Sequence, residues 1–366
     1  MQHQGGCVSR RYRLVAQIPG APRCSAGAFA ILIMLLGVPE AVRAAEAPPI
    51  PSITVYSDRH QAEDTQIYDA FTKETGVKVD IVDGTFDELL EKLKAAGAKS
   101  DGDLLVSSGC ATLWRTAEAG LFQKLPMEAV DPSIPRDFRD PAGRWIGLAY
   151  WARVIVEHKD RVDAAEIATY EDLADPKLHG RVIVRSASSP YNIALVASLI
   201  DANGTEAAEE WARGIVANFA RPPQGGDSNQ LKALAAGEAD VAIVNTRFWA
   251  RFAASDKVTE REIVDNLAVI FPNQTNRGTQ IDLVGAGLLK SAPHPKSAQT
   301  LIDFLLRPDI QAKFASADFE YPVRPDVPAP AVLAALGPFK MDLTALSKLG
   351  RFTPEAEKVM ARAGWE

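Results

Sequence analysis

Cysteine is scarce in this chain: three residues in 366, at Cys7, Cys24 and Cys110. Two of them fall within the first 47 residues, so no disulfide framework can form in the body of the protein. Cys110 then reads as a small buried hydrophobe and not as a nucleophile. Long apolar runs are also missing. The longest, Ala26 to Val38, falls short of the roughly 20 residues that a spanning helix needs. The familiar catalytic signatures are absent as well: there is no Gly-x-Ser-x-Gly elbow, no His-Glu-x-x-His, no phosphate loop and no paired-cysteine motif. Positive charge is in short supply beyond the N-terminus. The whole chain carries −7, and its first 44 residues hold five arginines against Glu40, a balance of +4, which leaves −11 for the rest. That acidic body argues against a nucleic-acid partner or an anionic membrane surface.

What is present starts with an export signal. Arg10, Arg11, Arg13 and Arg23 precede the apolar run, and small residues follow it at Val42, Ala44, Ala45 and Ala47. This order of basic, apolar and small residues is that of a secretion signal over residues 1–47, cleaved after Ala44 or Ala47. Ser9-Arg10-Arg11-Tyr12-Arg13-Leu14 fits a twin-arginine signal only in part, so the export route stays open. Cys24 lies before the apolar run, where a lipoprotein cysteine would lie after it. The expectation is a soluble periplasmic protein with its signal removed and no membrane anchor.

The remaining 320 or so residues exceed what one core usually holds, which favours two lobes. Ser52 to Tyr56 is a short β-rich run, Ala62 to Glu74 has helical spacing, and Val77 to Val82 is again β-rich. Phe86 to Ala96 places Leu89, Leu90 and Leu93 on one helical face, Asp103 to Val106 is a third strand, and Thr112 to Ala119 a third helix. Such alternation predicts an α/β lobe on a mostly parallel sheet. Pro-rich residues 126–141 interrupt the pattern, which restarts near Trp145. The expected elements are then a strand Arg153 to Glu157, a helix near Tyr170, a strand Arg181 to Val184, and helices Tyr191 to Ala202, Thr205 to Asn218 and Asn229 to Ala236. Strands Asp240 to Val244 and Leu267 to Phe271 follow, and Gly-punctuated Ile281 to Leu289 suits a strand crossing back to the first lobe. Helices are expected over Ala298 to Leu306 and Ile310 to Ala315.

Several segments in this order resemble one family: Val55-Tyr-Ser-Asp-Arg-His60, Phe71-Thr-Lys-Glu-Thr-Gly-Val-Lys-Val79, Trp145-Ile-Gly-Leu148 with Ala152-Arg-Val-Ile-Val156, and Tyr191 to Ile200. Ala235 to Ile243, Phe271-Pro-Asn-Gln274 with Arg277-Gly-Thr279, and Glu320-Tyr-Pro-Val323 extend it over almost the whole mature chain. The resemblance is to the periplasmic ferric-iron-binding proteins of ABC importers, within extracellular solute-binding protein family 1, and most closely to their cyanobacterial-type branch. It implies an α/β, two-lobe periplasmic-binding-protein fold (Venus flytrap, type II) whose hinged cleft closes on a ligand. The implied lobes are residues 48–150 with 275–325, and 151–274 with 326–366. The implied partners are an ABC permease and its ATPase, the implied state is a monomer, no cofactor is required, and Fe(III) or a ferric chelate is the transported ligand.

Iron recognition in that branch resembles a histidine and a tyrosine after the first strand, a tyrosine opening the second-lobe helix, and a tyrosine pair after an Asn-Thr strand end. This sequence keeps His60 and Tyr191, the two candidate metal ligands. Gln61 stands where the adjacent tyrosine would be, and Arg247-Phe248 where the pair would be, after Asn245-Thr246. Ferric iron is a hard cation that favours anionic oxygen donors, and phenylalanine offers no lone pair while arginine brings a fixed positive charge. A guanidinium suits carboxylate or phosphate instead. Arg59 and Arg153 match positions near the cleft, so Arg59, Arg153 and Arg247 with Tyr191, Asn192 and His60 form the candidate ligand site for an anion or an anionic ferric chelate. Direct ferric binding would draw on Asp58, Asp227 and Asp282 for charge.

Plainer roles compete. His60 can cap its loop, Tyr191 can pack between lobes, Arg247 can form an ion pair, and Arg153 is read first as pinning the hinge through a buried ion pair. Trp145, Trp151 and Trp249 read as packing, His158, His179 and His294 as solvent-facing, and Gly225-Gly226-Asp227 as a connector. A sensory binding protein feeding a receptor is the alternative function, and a bilobal enzyme a further one.

Overall fold

The computed structural model describes residues 51–59, 62–126, 131–162, 166–343 and 346–366. The signal segment, His60 and Gln61 lie outside the described residues. From Pro49 onward the chain forms one compact unit.

The first half alternates as expected: β1 (Ser52–Ser57), α1 (Asp64–Thr75), β2 (Lys78–Asp83), α2 (Phe86–Ala96), β3 (Leu104–Ser108) and α3 (Cys110–Glu118). Helix α2 starts where Thr85 and Glu88 cap each other, side chain to backbone in both directions, and it buries Leu89, Leu90 and Leu93. Strand β1 pairs in parallel with β2 on one side and β3 on the other.

Next comes β4 (Ile146–His158), thirteen residues of which nearly all are buried. Sequence periodicity places a strand only over its second part, because an unbroken apolar run carries no strand signature of its own. Beyond it lie β5 (Val182–Ile183), α4 (Pro190–Asn203), α5 (Thr205–Ala217), α6 (Asp227–Ala235), β6 (Val241–Asn245), α7 (Thr246–Ala253), α8 (Val258–Asp265) and β7 (Leu267–Ile270). The helix expected near Tyr170 is replaced by two short 3₁₀ turns, Glu171–Ala174 and Pro176–Leu178. There the Asp172 carboxylate accepts from the backbone N–H groups of Ala168 and Thr169, 2.8 Å each, and competes with helical bonding. The chain finishes with β8 (Thr279–Leu288), α9 (Pro295–Leu305), α10 (Pro308–Ala317), β9 (Tyr321–Pro322), α11 (Ala331–Ala334), β10 (Met341–Asp342) and α12 (Leu349–Ala363).

The strands form one hydrogen-bonded path in the order β2-β1-β3-β8-β4-β6-β5. Two long antiparallel strands connect its ends. The first part of β4, Ile146 to Ala152, pairs with β8, and its second part, Arg153 to Glu157, pairs with β6. β8 pairs with β3 through Val284 to Leu288. Each therefore runs from one α/β half into the other, the arrangement of a two-lobe molecule with crossing strands as its hinge. Where they meet, a Cβ on Gly285 would lie 2.6 Å from the Leu113 side chain and 2.9 Å from the Ile146 carbonyl oxygen, so the close approach needs glycine.

Helix α4 buries every residue from Ala194 to Ile200 and is apolar on all sides. Such a helix needs cover all round, and α5 and α12 provide it. α12 also reaches α3 in the first half, where Gly350 lies against the Trp114 side chain.

Candidate functional site

A cavity of about 430 Å³ opens between the two halves. It is faced by the opening residues of three helices: Thr85, Phe86 and Asp87 at α2, Ala111 and Thr112 at α3, and Pro190 and Tyr191 at α4. The first two helices belong to the half built on β1–β3, and α4 to the other. Thr353 and Glu357 of α12 line it as well. Helix N-termini present unpaired N–H groups and a partial positive charge, which suits anionic oxygens. Oxygen donors are also present. Asp58, on the cavity wall, is fixed by Ser107 Oγ and Ser108 N, which donate to its carboxylate at 2.7 Å each. Arg115, on the same wall, pairs with Asp87 at 2.9 Å.

Of Arg59, Arg153, Tyr191, Asn192 and Arg247, Tyr191 alone lines this cavity, together with Asp58 from the candidate carboxylates. Arg247, the second residue of α7, sits behind it and donates to its hydroxyl. The same guanidinium reaches Asp318 at 2.5 Å and Glu320 at 3.3 Å, and lies 4.5 Å from the Trp151 ring centre and 5.1 Å from that of Phe248. Burial opposes its charge, but Tyr191, Asp318 and Glu320 overcome that and hold its pKa above the ordinary arginine value. Glu320 has its other oxygen on Arg59 at 2.5 Å, Arg59 also holds Asp64 at 2.7 Å, and Arg251 pairs with Asp318. Arg59, Arg247 and Arg251 thus meet three carboxylates of the protein itself, and Arg59 borders a separate cavity of about 230 Å³.

Arg153 lies apart from this network, at the point where β4 changes partner. It donates to Asp227 at 3.0 Å, to the Asn245 side chain at 3.1 Å and to Asn192 at 2.7 Å. Burial pushes its pKa below the ordinary value, with Asp227 opposing. Asn192 in turn donates to the Arg185 carbonyl at 2.8 Å, so Arg153 and Asn192 anchor the start of α4 and thereby the position of Tyr191. Asp227, in the Gly225-Gly226-Asp227 turn, faces Arg153 and the Asn245 N–H. Asp282 on β8 accepts from Cys110 N and Leu283 N at 2.7 and 2.8 Å, and burial raises its pKa. The Cys110 thiol, fully buried beside it, is pushed well up and is inert. Trp145 and Trp151 are core residues. His179 and His294 are exposed, and His158 is partly so.

Sequence reasoning did not single out Asp64, Asp318, Glu320 or Arg251 as partners of the arginines. Glu320 lies 261 residues from Arg59 and 73 from Arg247, and no local pattern announces such a pairing. Among the described residues no group of three or more His, Cys, Asp or Glu is placed to hold a metal ion, and no helix is long and apolar enough to cross a membrane.

Two α/β halves, crossing strands and an interlobe cavity fed by helix N-termini define a hinged solute-binding protein. Comparison with known proteins agrees: residues 66–340 match the model of the bacterial extracellular solute-binding proteins. The chain belongs to that family. It is 44% identical to the Iron uptake protein A1 of Synechocystis sp. over 314 residues, 86% of this chain and 87% of that one. A Trichodesmium FutA (IdiA) structure in complex with iron and citrate ligands is similar at TM-score 0.83 and 41% identity, covering 86% of this chain and all of that one. The ferric binding protein from Campylobacter jejuni is similar at TM-score 0.81 and 32% identity, with 86% and 100% covered.

Proposed function

We propose that this protein is the periplasmic solute-binding component of an ABC importer of the ferric-iron type, and that it takes iron as an anionic chelate. In this reading the N-terminal segment is removed on export, residues 48–150 with 275–325 and 151–274 with 326–366 are the two lobes, and the closed monomer presents its cargo to a permease driven by an ATPase. The protein acts by binding, without chemical turnover. Relatives named for iron uptake and ferric binding, and a similar structure with iron and citrate, support the cargo class.

The observation that carries the chelate is the mixed polarity of the 430 Å³ cavity. Its size is in the range of small-molecule sites and many times the roughly 30 Å³ share of a single water. Three helix N-termini face it, and they suit the carboxylates of a chelator, while the Tyr191 and Asp58 oxygens suit a hard metal centre. His60 and Tyr191 are the metal-facing candidates. Arg59, Arg153, Asn192 and Arg247 act in this reading from behind the wall, by fixing charge and the start of α4. Calorimetric titrations with ferric citrate, metal-free citrate and an uncomplexed ferric salt test it. Ferric citrate is expected to bind, and at 100 times its dissociation constant to stabilise the protein by about 2.7 kcal/mol. No heat and no thermal shift with any iron species would defeat the proposal.

A further inference from the structure

Arg247 is held through both of its terminal nitrogens. Asp318 and Glu320 hold one terminal nitrogen, the Tyr191 hydroxyl takes the second, Nε is buried without a partner, and the Trp151, Phe248 and Tyr191 rings surround the group at 4.5, 5.1 and 5.6 Å. Both carboxylates are fully buried. If the guanidinium swung away, Glu320 would keep Arg59 and Asp318 would keep Arg251, but the two fully buried carboxylates would lose the positive charge they share. In this network Arg59, Arg247 and Arg251 face Asp64, Asp318 and Glu320, and Asp282 on β8 also acts on Arg247. Arg247 thus has its counter-charges within the protein itself. A metal ion on the Tyr191 oxygen would have to share that oxygen with a donor N–H and stand beside a permanent positive charge.

We infer that Arg247 is the specificity-determining residue of the cleft, a resident cation that Asp318 and Glu320 hold against Tyr191 so that the tyrosine refuses bare hard cations. A cargo whose metal charge is already cancelled by its own anionic ligands meets far less repulsion. This rests on reading the cleft as a ferric-chelate site. Asp318 and Glu320 are positioning residues: they touch no cargo and act through the guanidinium.

Terbium(III), a hard trivalent ion whose emission is sensitised by nearby tryptophan, is the probe, with Trp151 as antenna. Arg247→Gln is expected to bind terbium at least about tenfold more tightly than wild type, with sensitised emission, because the fixed positive charge beside the Tyr191 oxygen is gone. Arg247→Lys, which keeps the charge, is expected to show no gain, and adding Tyr191→Phe to Arg247→Gln is expected to abolish it. Equal terbium affinity in wild type and Arg247→Gln overturns the inference, as does a gain that survives Tyr191→Phe. A second comparison needs no Arg247 variant. Wild type and Tyr191→Phe should bind terbium equally weakly, and weaker binding by Tyr191→Phe would show that the wild-type tyrosine already accepts a bare cation. Failure of ferric citrate to bind wild type would sink the cargo reading alone, so the two failures are separable.

Discussion

At the scale of single residues, the decisive fact is how the buried charges are partnered. Arg153 and Asp227 have side chains 1% and 0% exposed. Arg153→Ala is expected to destabilise the fold by about 3–5 kcal/mol in urea unfolding, because Asp227 would keep its charge without its arginine. A loss below 1 kcal/mol would mean that Arg185, 3.4 Å from Asp227, takes over. Asp282 gives a prediction of pH dependence. Burial raises its pKa above the ordinary 3.8, so just above 3.8 the folded protein keeps a proton that the unfolded chain has released. The stability linked to this group is present below that value and lost as pH rises through the raised pKa. Asp282→Asn keeps an acceptor oxygen for Cys110 N and Leu283 N and removes the loss. The variant is expected to be the more stable at pH 7, with the gap closing toward acid. A gap that widens as pH falls would contradict the assignment.

At the scale of elements, β4 and β8 join the two halves, and their fit depends on Gly285. Gly285→Ala would drive a methyl group to within 2.6 Å of Leu113 and 2.9 Å of a backbone oxygen. The expected cost is about 1–3 kcal/mol, read from the urea midpoint. The alternating helices and strands of the first half were legible because α1 and α2 each have an amphipathic face and glycine stops, as Gly76 shows with φ 73°. The role of β4 was only half legible, since a strand buried throughout has no period to read. Helix α7 and the long α12 were missed. α12 carries Pro354 inside it, a residue that normally marks a boundary, and α7 is only eight residues long. Of the candidate site, Tyr191 and its place at the mouth of α4 were legible from the family resemblance. Asp318 and Glu320, which hold Arg247 and in part Arg59, were not, because they come from a distant segment between α10 and β9.

At the scale of the whole molecule, the account joins a hinge of two crossing strands, a cleft faced by helix N-termini from both halves, and one tyrosine with a fixed cation behind it. Closure of such a molecule is driven only by contacts that the guest makes better in the shut form, so the guest should touch both halves at once. Crystals grown with ferric citrate and measured at the iron absorption edge test this most directly. The account predicts an anomalous iron peak in the cavity within bonding distance of the Tyr191 oxygen, with citrate oxygens against the openings of α2 and α3. An iron peak outside that cavity, or citrate there without iron, would contradict it.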